Sequence, residues 1–475
     1  MTWAGIALAA MGGVGTAVAL VHGGGFSEVY PRAYVLSLVL AAGVAVAAGS
    51  ARSQAEPRRA IWWLALLVAV GGGLGLLPLL SGGGEPLQHL VPLMKPAGND
   101  FRVGLYDPAA AFSAAGSGWP PLTLILGRPF TYLGVGTAYA LHVVLLVAAA
   151  AVTVVLGARL AAGAGPFRGR GRDVTVAQLA IVSALWLFTS YGLLFELERG
   201  NVDLYAFLFA VLAVWVLAGG RERVWLCAAL LAVAIGLKVY PAALLVPLFW
   251  RFGRRAIVPV LVTLAVGFLA AGPANGVAFL RNLLVLEGEG AYLWVGNQSA
   301  KSYGSIVATA AGVPAGAVTL VLLVVSIACW ALTLAVLLRR GWSASRGVLA
   351  AAACVPVMCV VPSVSHDYKL VILVFPFAVL AAAVARRRSG GTARWALWTV
   401  ALGTVAALLA RSSLLSYAYV VPHAATLSDV VANKYPAILA VQVMLLLLAR
   451  GQEREWPGAE AEREQAGREG GTVVV

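Results

Sequence analysis

Residues 315–340 read AGAVTLVLLVVSIACWALTLAVLLRR, an uncharged run closed by two arginines. Wound as a helix at about 1.5 Å per residue, such a run is longer than the roughly 30 Å hydrocarbon layer of a bilayer. A helix apolar on every side has no stable place in water, and a half-buried strand would alternate polar and apolar residues instead. Similar runs recur upstream near residues 3–21, 33–49, 61–80, 134–157, 175–194 and 203–218. Downstream they recur near 256–273, 347–362, 369–385, 395–411 and 435–449. The predicted fold class is all-α, a polytopic membrane helical bundle of about 12 full spans plus a re-entrant or broken helical hairpin.

Composition excludes the alternatives. Of 475 residues 61% are hydrophobic and 11% charged, against about 25% charged in a soluble domain. Residues 1–450 therefore read as one integral membrane domain. Residues 451–475 alternate Glu and Arg with Gly and read as a mobile cytoplasmic tail. The first apolar run lacks a cationic leader and a small-residue cleavage site, which makes it a retained helix. The net charge of +14 comes mostly from arginines scattered in short clusters between runs, a topology signal rather than a nucleic-acid surface. Cys227, Cys329, Cys354 and Cys359 sit inside apolar runs without metal-ligand spacing and read as small buried residues. No metal and no cofactor is expected. The Ala and Gly richness suits close helix packing in lipid and a GC-rich bacterial source, so the expected location is a bacterial plasma membrane.

The loops alternate in basic content. Arg52, Arg58 and Arg59, then Arg159, Arg168, Arg170 and Arg172, then Arg221 and Arg223, then Arg251, Arg254 and Arg255 mark one face. Arg339, Arg340 and Arg346, then Arg386, Arg387, Arg388 and Arg394, continue the series. The positive-inside rule makes these loops cytoplasmic, with both termini on that side. Residues 224–250 are long enough for one tilted helix, yet both flanks carry the cytoplasmic signature. A hairpin or broken pair turning at Lys238, Tyr240 and Pro241 keeps the alternation, and such irregular backbone needs protein or a cavity around it.

With that orientation four polar segments share the extracytoplasmic face: GND at 98–100, FELERGNVD at 195–203, GNQSAKSYG at 296–304 and SVSHDYK at 363–369. Their separation in sequence on one common face points to a shared cleft. The outer loop 81–133 is long enough to be functional, and its runs QHLVPLM and PPLTLILGRPFTYL suit short interfacial helices anchored by Trp119 and Tyr132. Asp100 has the chemistry of a general base, or of a helix cap; Asp107 before Pro108 reads as a turn or cap residue. Arg199, Lys301, Lys369 and Lys238 form a set of cations suited to a lipid phosphate, or singly to snorkelling at the interface. His366 adds a switchable donor. Asn201 and Asp203 need partners or a ligand, since unpaired polar groups there are costly. Asn297 opens an N-Q-S sequon that we read as coincidental.

Five blocks in order then resemble glycosyltransferase family 87, of the GT-C superfamily. They are Asp100 followed by Pro120–Pro121, the ERGNVD turn at 198–203, LKVYP at 237–241, NQS at 297–299 and SHDYKL at 365–370. The resemblance implies a GT-C fold. It also implies inverting transfer of a sugar, typically mannose, from a polyprenyl-phosphate-sugar donor to a lipid or glycolipid acceptor at the outer face of the membrane. In that likeness Asp100 is the catalytic base and His366 contacts the donor phosphate, which the charges of Lys369, Arg199, Lys301 and Lys238 are read as binding with it. Asn201, Asp203, Tyr240, Asn297, Ser299, Asp367 and Trp119 line the substrate site; whether His366 or Asp367 serves is left open. Neither a nucleotide sugar nor a nucleic acid is an implied partner. The rival from another class is a transporter or flippase of lipid-linked sugars, which shares broken helices and a phosphate site. The polar groups gather at one face and no inverted repeat is visible, which favours an enzyme.

Overall fold

The computed structural model describes residues 57–81, 99–106, 119–163, 175–219, 223–288, 295–386, 392–411 and 425–451. The expected spans at 3–21 and 33–49, the QHLVPLM run, Asp107 and residues 452–475 lie outside them. The described residues are all-helical. The long helix α1, Pro57–Ser81, comes first. A single turn at Asn99–Phe101 continues as a π-turn over Arg102–Tyr106. Next come α2 (Leu122–Gly127), a 3₁₀ turn at Arg128–Tyr132 and α3 (Val135–Gly163). Helices α4 (Val176–Phe188), α5 (Tyr191–Arg199), α6 (Asp203–Ala218) and α7 (Val224–Leu237) follow. After a 3₁₀ turn at Tyr240–Leu244 come α8 (Leu245–Phe252), α9 (Ile257–Leu269) and α10 (Pro273–Gly288). The remainder is α11 (Ala300–Ala311), α12 (Ala315–Leu338), α13 (Ala344–Val360), a 3₁₀ turn at Asp367–Leu373, and α14 (Val374–Arg386). Helices α15 (Thr392–Ala410), α16 (Leu427–Ala432) and α17 (Tyr435–Gly451) complete it.

Four helical runs among the described residues are long and apolar enough to cross a membrane: Val135–Gly163, Tyr240–Leu269, Ala315–Leu338 and Asp367–Ala385. A bent pair, α4 with α5, makes a fifth if it is one span. The described residues carry fewer full-length spans than the 12 expected: two of those spans lie outside them, and others, such as Asp203–Ala218 and Tyr435–Gly451, are helices of 10–17 residues, roughly 15–25 Å long. The run at 175–194 is broken outright. Thr189 and Ser190 turn their hydroxyls back onto the carbonyls of Leu185 (2.6 Å) and Leu187 (2.7 Å). Ser190, extended at φ −86°, then accepts the N–H of Leu193 as the N-cap of a new helix. The two helices meet at a bend of 62°.

The stretch over 224–250 is broken where the sequence placed its turn. Lys238 is extended (φ −150°, ψ 135°) and ends α7, and Pro241 then opens the 3₁₀ turn. Within Tyr240–Leu269, Arg251, Arg254 and Arg255 and the left-handed Gly253 (φ 57°) part α8 from α9. Three helices were not anticipated. Helix α10 starts from Gly272 and Pro273, α11 from the Ser299 cap, and α16 from a Thr426–Asp429 capping box.

Helices α13 and α14 form the interior. Every residue from Gly347 to Val360 is buried, and so is every residue of the Asp367–Leu373 turn. Helix α14 packs on α1, α3, α4, α13, α15 and α17. Small residues, Ala350 to Ala353, let the backbones approach where no hydrophobic gradient between helices exists in lipid. Trp186 ties α4 to α15 by donating to the Ala406 carbonyl (2.9 Å) and stacking on Phe377 of α14. All four cysteines are buried and free. Outward, Leu261 and Val266 of α9 and Leu320, Val321 and Val324 of α12 are exposed, the surface a bilayer covers.

Helices α11 and α12 touch through Gly304, whose missing Cβ would lie 2.8 Å and 2.9 Å from the Cα and N of Thr319. Gly304→Val must push the pair apart. It should lower the thermal unfolding midpoint of the detergent-solubilised protein by the equivalent of about 1–3 kcal/mol, read by intrinsic fluorescence.

Candidate functional site

The centre of the site is the ERGN turn that ends α5. Gly200 adopts the left-handed region (φ 62°, ψ 43°), and its N–H returns to the carbonyls of Glu196 and Leu197. A Cβ there would also meet the Cβ of Phe101 at 2.6 Å. Helix α3 holds the turn from behind. The Tyr139 hydroxyl donates to the carbonyls of Leu197 (2.7 Å) and Glu198 (3.0 Å). His142 Nε2 lies 3.1 Å from the Gly200 carbonyl, which can only accept, so Nε2 carries the proton and Nδ1 faces the Tyr205 hydroxyl at 3.0 Å. The Phe101 ring packs against Phe130, Tyr139 and His142. That packing seats its neighbour Asp100 over the turn, where Oδ1 accepts from Arg199 Nη2 (2.6 Å) and Oδ2 from Asn201 Nδ2 (2.8 Å). The Asp100 side chain is 15% exposed and that of Arg199 34%, so an incoming group can reach both. Each carboxylate oxygen keeps a second lone pair for it.

A second ion pair adjoins the first. Asp203, fully buried at the start of α6, lies 3.4 Å from Lys238 Nζ. Neither Asp203 oxygen has a hydrogen bond among the described residues, and Glu196 Oε2 also lacks one, although Glu196 Oε1 accepts the Leu204 N–H. Buried polar atoms in this state are uncommon and mark places where a ligand or water completes the set. The Lys238 ammonium also sits over the Trp119 ring at 4.2 Å. Lys369 Nζ lies over the Tyr240 ring at 5.1 Å and donates to the Val364 carbonyl. The charges of Arg199, Lys369 and Lys238 all reach His366. Burial first, and then these three cations, push its pKa down to about 3. His366 was read as a switchable donor; here burial and its cationic neighbours favour the neutral form of the imidazole.

The fold thus joins Asp100, Arg199, Asn201, Asp203, Lys238, Tyr240, His366, Lys369 and Trp119 in one cluster. Trp119, expected both as an interfacial anchor and in the substrate site, turns its ring to Lys238 and packs against Gly104. Tyr132, by contrast, is 87% exposed next to α2. Asn297 and Ser299 are fully buried and put their side chains to structural use. Asn297 Nδ2 donates to the Ser363 carbonyl, its Oδ1 accepts from the N–H of Ser299 and Ser365, and Ser299 caps α11. The sequon is closed to a glycan on the same ground. Lys301 is half-buried in the first turn of α11. Asp367 points elsewhere, to Gln298 Nε2 (2.6 Å) and Lys434 Nζ (3.2 Å), which leaves His366 as the member of that pair among the cations.

Sequence reasoning passed over Tyr139, His142, Gln298 and Lys434, and gave Glu196 only as a candidate partner of Arg199. His142 and Lys434 had a usable signal, each being an ionisable residue within or beside an apolar run. Among the described residues no three His, Cys, Asp or Glu side chains gather as a metal site. A cluster that joins a carboxylate to three cations and an imidazole can take a proton at the carboxylate and hold a phosphate at the cations.

Comparison with known proteins found no match among curated proteins and none among solved structures. A family model does match, over residues 119–363. The matched region carries Trp119, the ERGNVD turn, Lys238, Tyr240 and the NQS loop. With just over half the chain matched, this protein belongs to glycosyltransferase family 87.

Proposed function

We propose that this membrane glycosyltransferase moves mannose from a polyprenyl-phosphate donor to a hydroxyl of a lipid or glycolipid acceptor, with inversion, on the extracytoplasmic face of a bacterial plasma membrane. The observation that carries the reading is the Asp100 carboxylate, anchored by Arg199 and Asn201, where Arg199 in turn acts with Lys238 and Lys369 on His366. The arginine-rich loops support the orientation, since they would lie on the opposite, cytoplasmic side.

In this reading the acceptor hydroxyl approaches the anomeric carbon from the Asp100 side. Its oxygen forms the new glycosidic bond as the bond from that carbon to the phosphate oxygen breaks, and Asp100 takes the hydroxyl proton. The electron pair leaves with the lipid phosphate, whose charge Lys238, Lys369 and the neutral His366 stabilise. One displacement inverts the anomeric centre. Asn201 and Arg199 hold the base in line, and Asp203, paired with Lys238, and Glu196, whose Oε1 accepts the Leu204 N–H, keep acceptor capacity suited to sugar hydroxyls. The bent and broken helices beside the cluster leave irregular backbone where a cavity requires it.

Purified protein in lipid, given radiolabelled polyprenyl-phosphate-mannose and a native membrane-lipid extract, should transfer label to a lipid followed by thin-layer chromatography. Asp100→Asn should fold normally and lose about 10²–10⁴-fold in rate; full activity in that variant removes Asp100 from the base role. The pH dependence gives a second check. Because His366 binds its proton only near pH 3, it stays neutral across about pH 5–8. His366→Asn should lower the rate there without moving the acid limb of the kcat/KM profile.

A further inference from the structure

Three loops distant in sequence, at 295–299, 363–367 and 433–435, close on one buried polar knot beside the cluster. Lys434 Nζ stands 3.2 Å from Asp367 Oδ1, with both side chains fully buried. Gln298 closes the triangle: its Nε2 donates to the same Asp367 oxygen at 2.6 Å, and its Oε1 accepts the Lys434 backbone N–H at 2.7 Å. Asn433 Nδ2 donates to the carbonyls of Val295 and Asn297, both at 3.0 Å. On the other side the Gln298 N–H reaches the Ser365 carbonyl at 2.6 Å, and Asn297 pairs with His366 as an isolated bridge. The knot therefore grips the chain on both sides of His366, at Ser365 and at Asp367. Onward, the Lys369 N–H returns to the His366 carbonyl at 2.9 Å.

A buried ion pair is a poor way to add stability, because the desolvation of two charges offsets most of their attraction and apolar residues of similar volume serve as well or better. What such a pair supplies is a geometry that few other arrangements satisfy. Burial pulls the Lys434 ammonium down to about 8, against the opposing pull of Asp367. The pair is thus held by its partner and not by solvent.

We infer that Lys434, through its pair with Asp367 and the Gln298 bridge, is a positioning residue that fixes the His366 imidazole among Arg199, Lys238 and Lys369. It lies beyond the residues matched by the family model and acts through Asp367 and Gln298. The inference rests on reading the His366 cluster as the phosphate end of the site.

The test uses the full chain in lipid nanodiscs and two variants. Lys434→Met leaves Asp367 buried and unpaired and risks misfolding. Lys434→Met with Asp367→Asn removes both charges, so it keeps the fold and lacks only the pair. Carbethoxylation by diethyl pyrocarbonate, read peptide by peptide in a mass spectrometer, reports His366 directly, and the buried His142 serves as the internal control. In the double variant His366 should label about fivefold faster or more with His142 unchanged. The kcat with polyprenyl-phosphate-mannose should fall about 100-fold, with a smaller change in KM. Wild-type labelling and wild-type kcat in the folded double variant overturn the inference. Altered His366 labelling in a protein whose wild type transfers no sugar keeps the positioning role and removes the transferase reading of the cluster instead.

Discussion

The Gly200 turn sets the direction of every polar group at the site. A residue with a Cβ is strained at φ 62° and here would also strike Phe101. The turn reverses the chain within two residues, so that Arg199 leaves the end of α5 and Asn201 enters α6 with both side chains aimed at the same carboxylate. Tyr139 and His142 then spend their polar atoms on the carbonyls that the turn leaves without helical partners. Loss of this one conformation would misplace both donors to Asp100 at once, and Asp203 three residues on.

The charges gathered there are unevenly served. Asp100 has two close donors, whereas Asp203 has an ammonium at 3.4 Å and no hydrogen bond among the described residues. At an effective dielectric near 20, a pair at that distance attracts by roughly 5 kcal/mol. Burying two ions costs several kcal/mol each. The attraction alone therefore does not offset burial, and Lys238 is left with unused capacity facing the Trp119 ring. A phosphate brought among Lys238, Lys369 and Arg199 would add the negative charge this arrangement lacks. Burial first, and then the same three cations that would bind it, disfavour the charged form of His366.

Which parts were legible in the sequence follows from what each reading depended on. Helix class and several ends rested on apolar periodicity and terminal residues, so Asp203–Ala218 and Ala315–Leu338 match their expected ranges. The ERGNVD, LKVYP and SHDYKL blocks stood out because charges beside apolar runs are expensive, and they do converge. The bend at Ser190 was not legible, since a serine within an apolar run hydrogen-bonds inside a helix or caps a new one with equal ease, and only packing decides. The side-chain directions of Asn297 and Asp367 were not legible for a related reason. A motif places a polar residue near a site but not the direction of its side chain, and here both side chains turn into the knot that Gln298 and Lys434 complete.

That knot and the Gly200 turn solve one problem at two places. A reaction that separates charge at a lipid surface needs polar groups held where the surroundings cannot reorganise to hold them. Long apolar helices such as α12 cannot provide such points, because their backbone groups are consumed internally. The chain therefore interrupts its helices at Ser190, Gly200, Lys238 and His366. The Ser190 break is closed by its own and Thr189's hydroxyls, and the other three are braced by side chains from another element: α3 for the ERGN turn, the Trp119 ring for Lys238, and the 295–299 and 433–435 loops for His366. The rigidity of the site is thus borrowed from helices that carry none of its chemistry, and a change remote from Asp100 can act on it through the loop it braces.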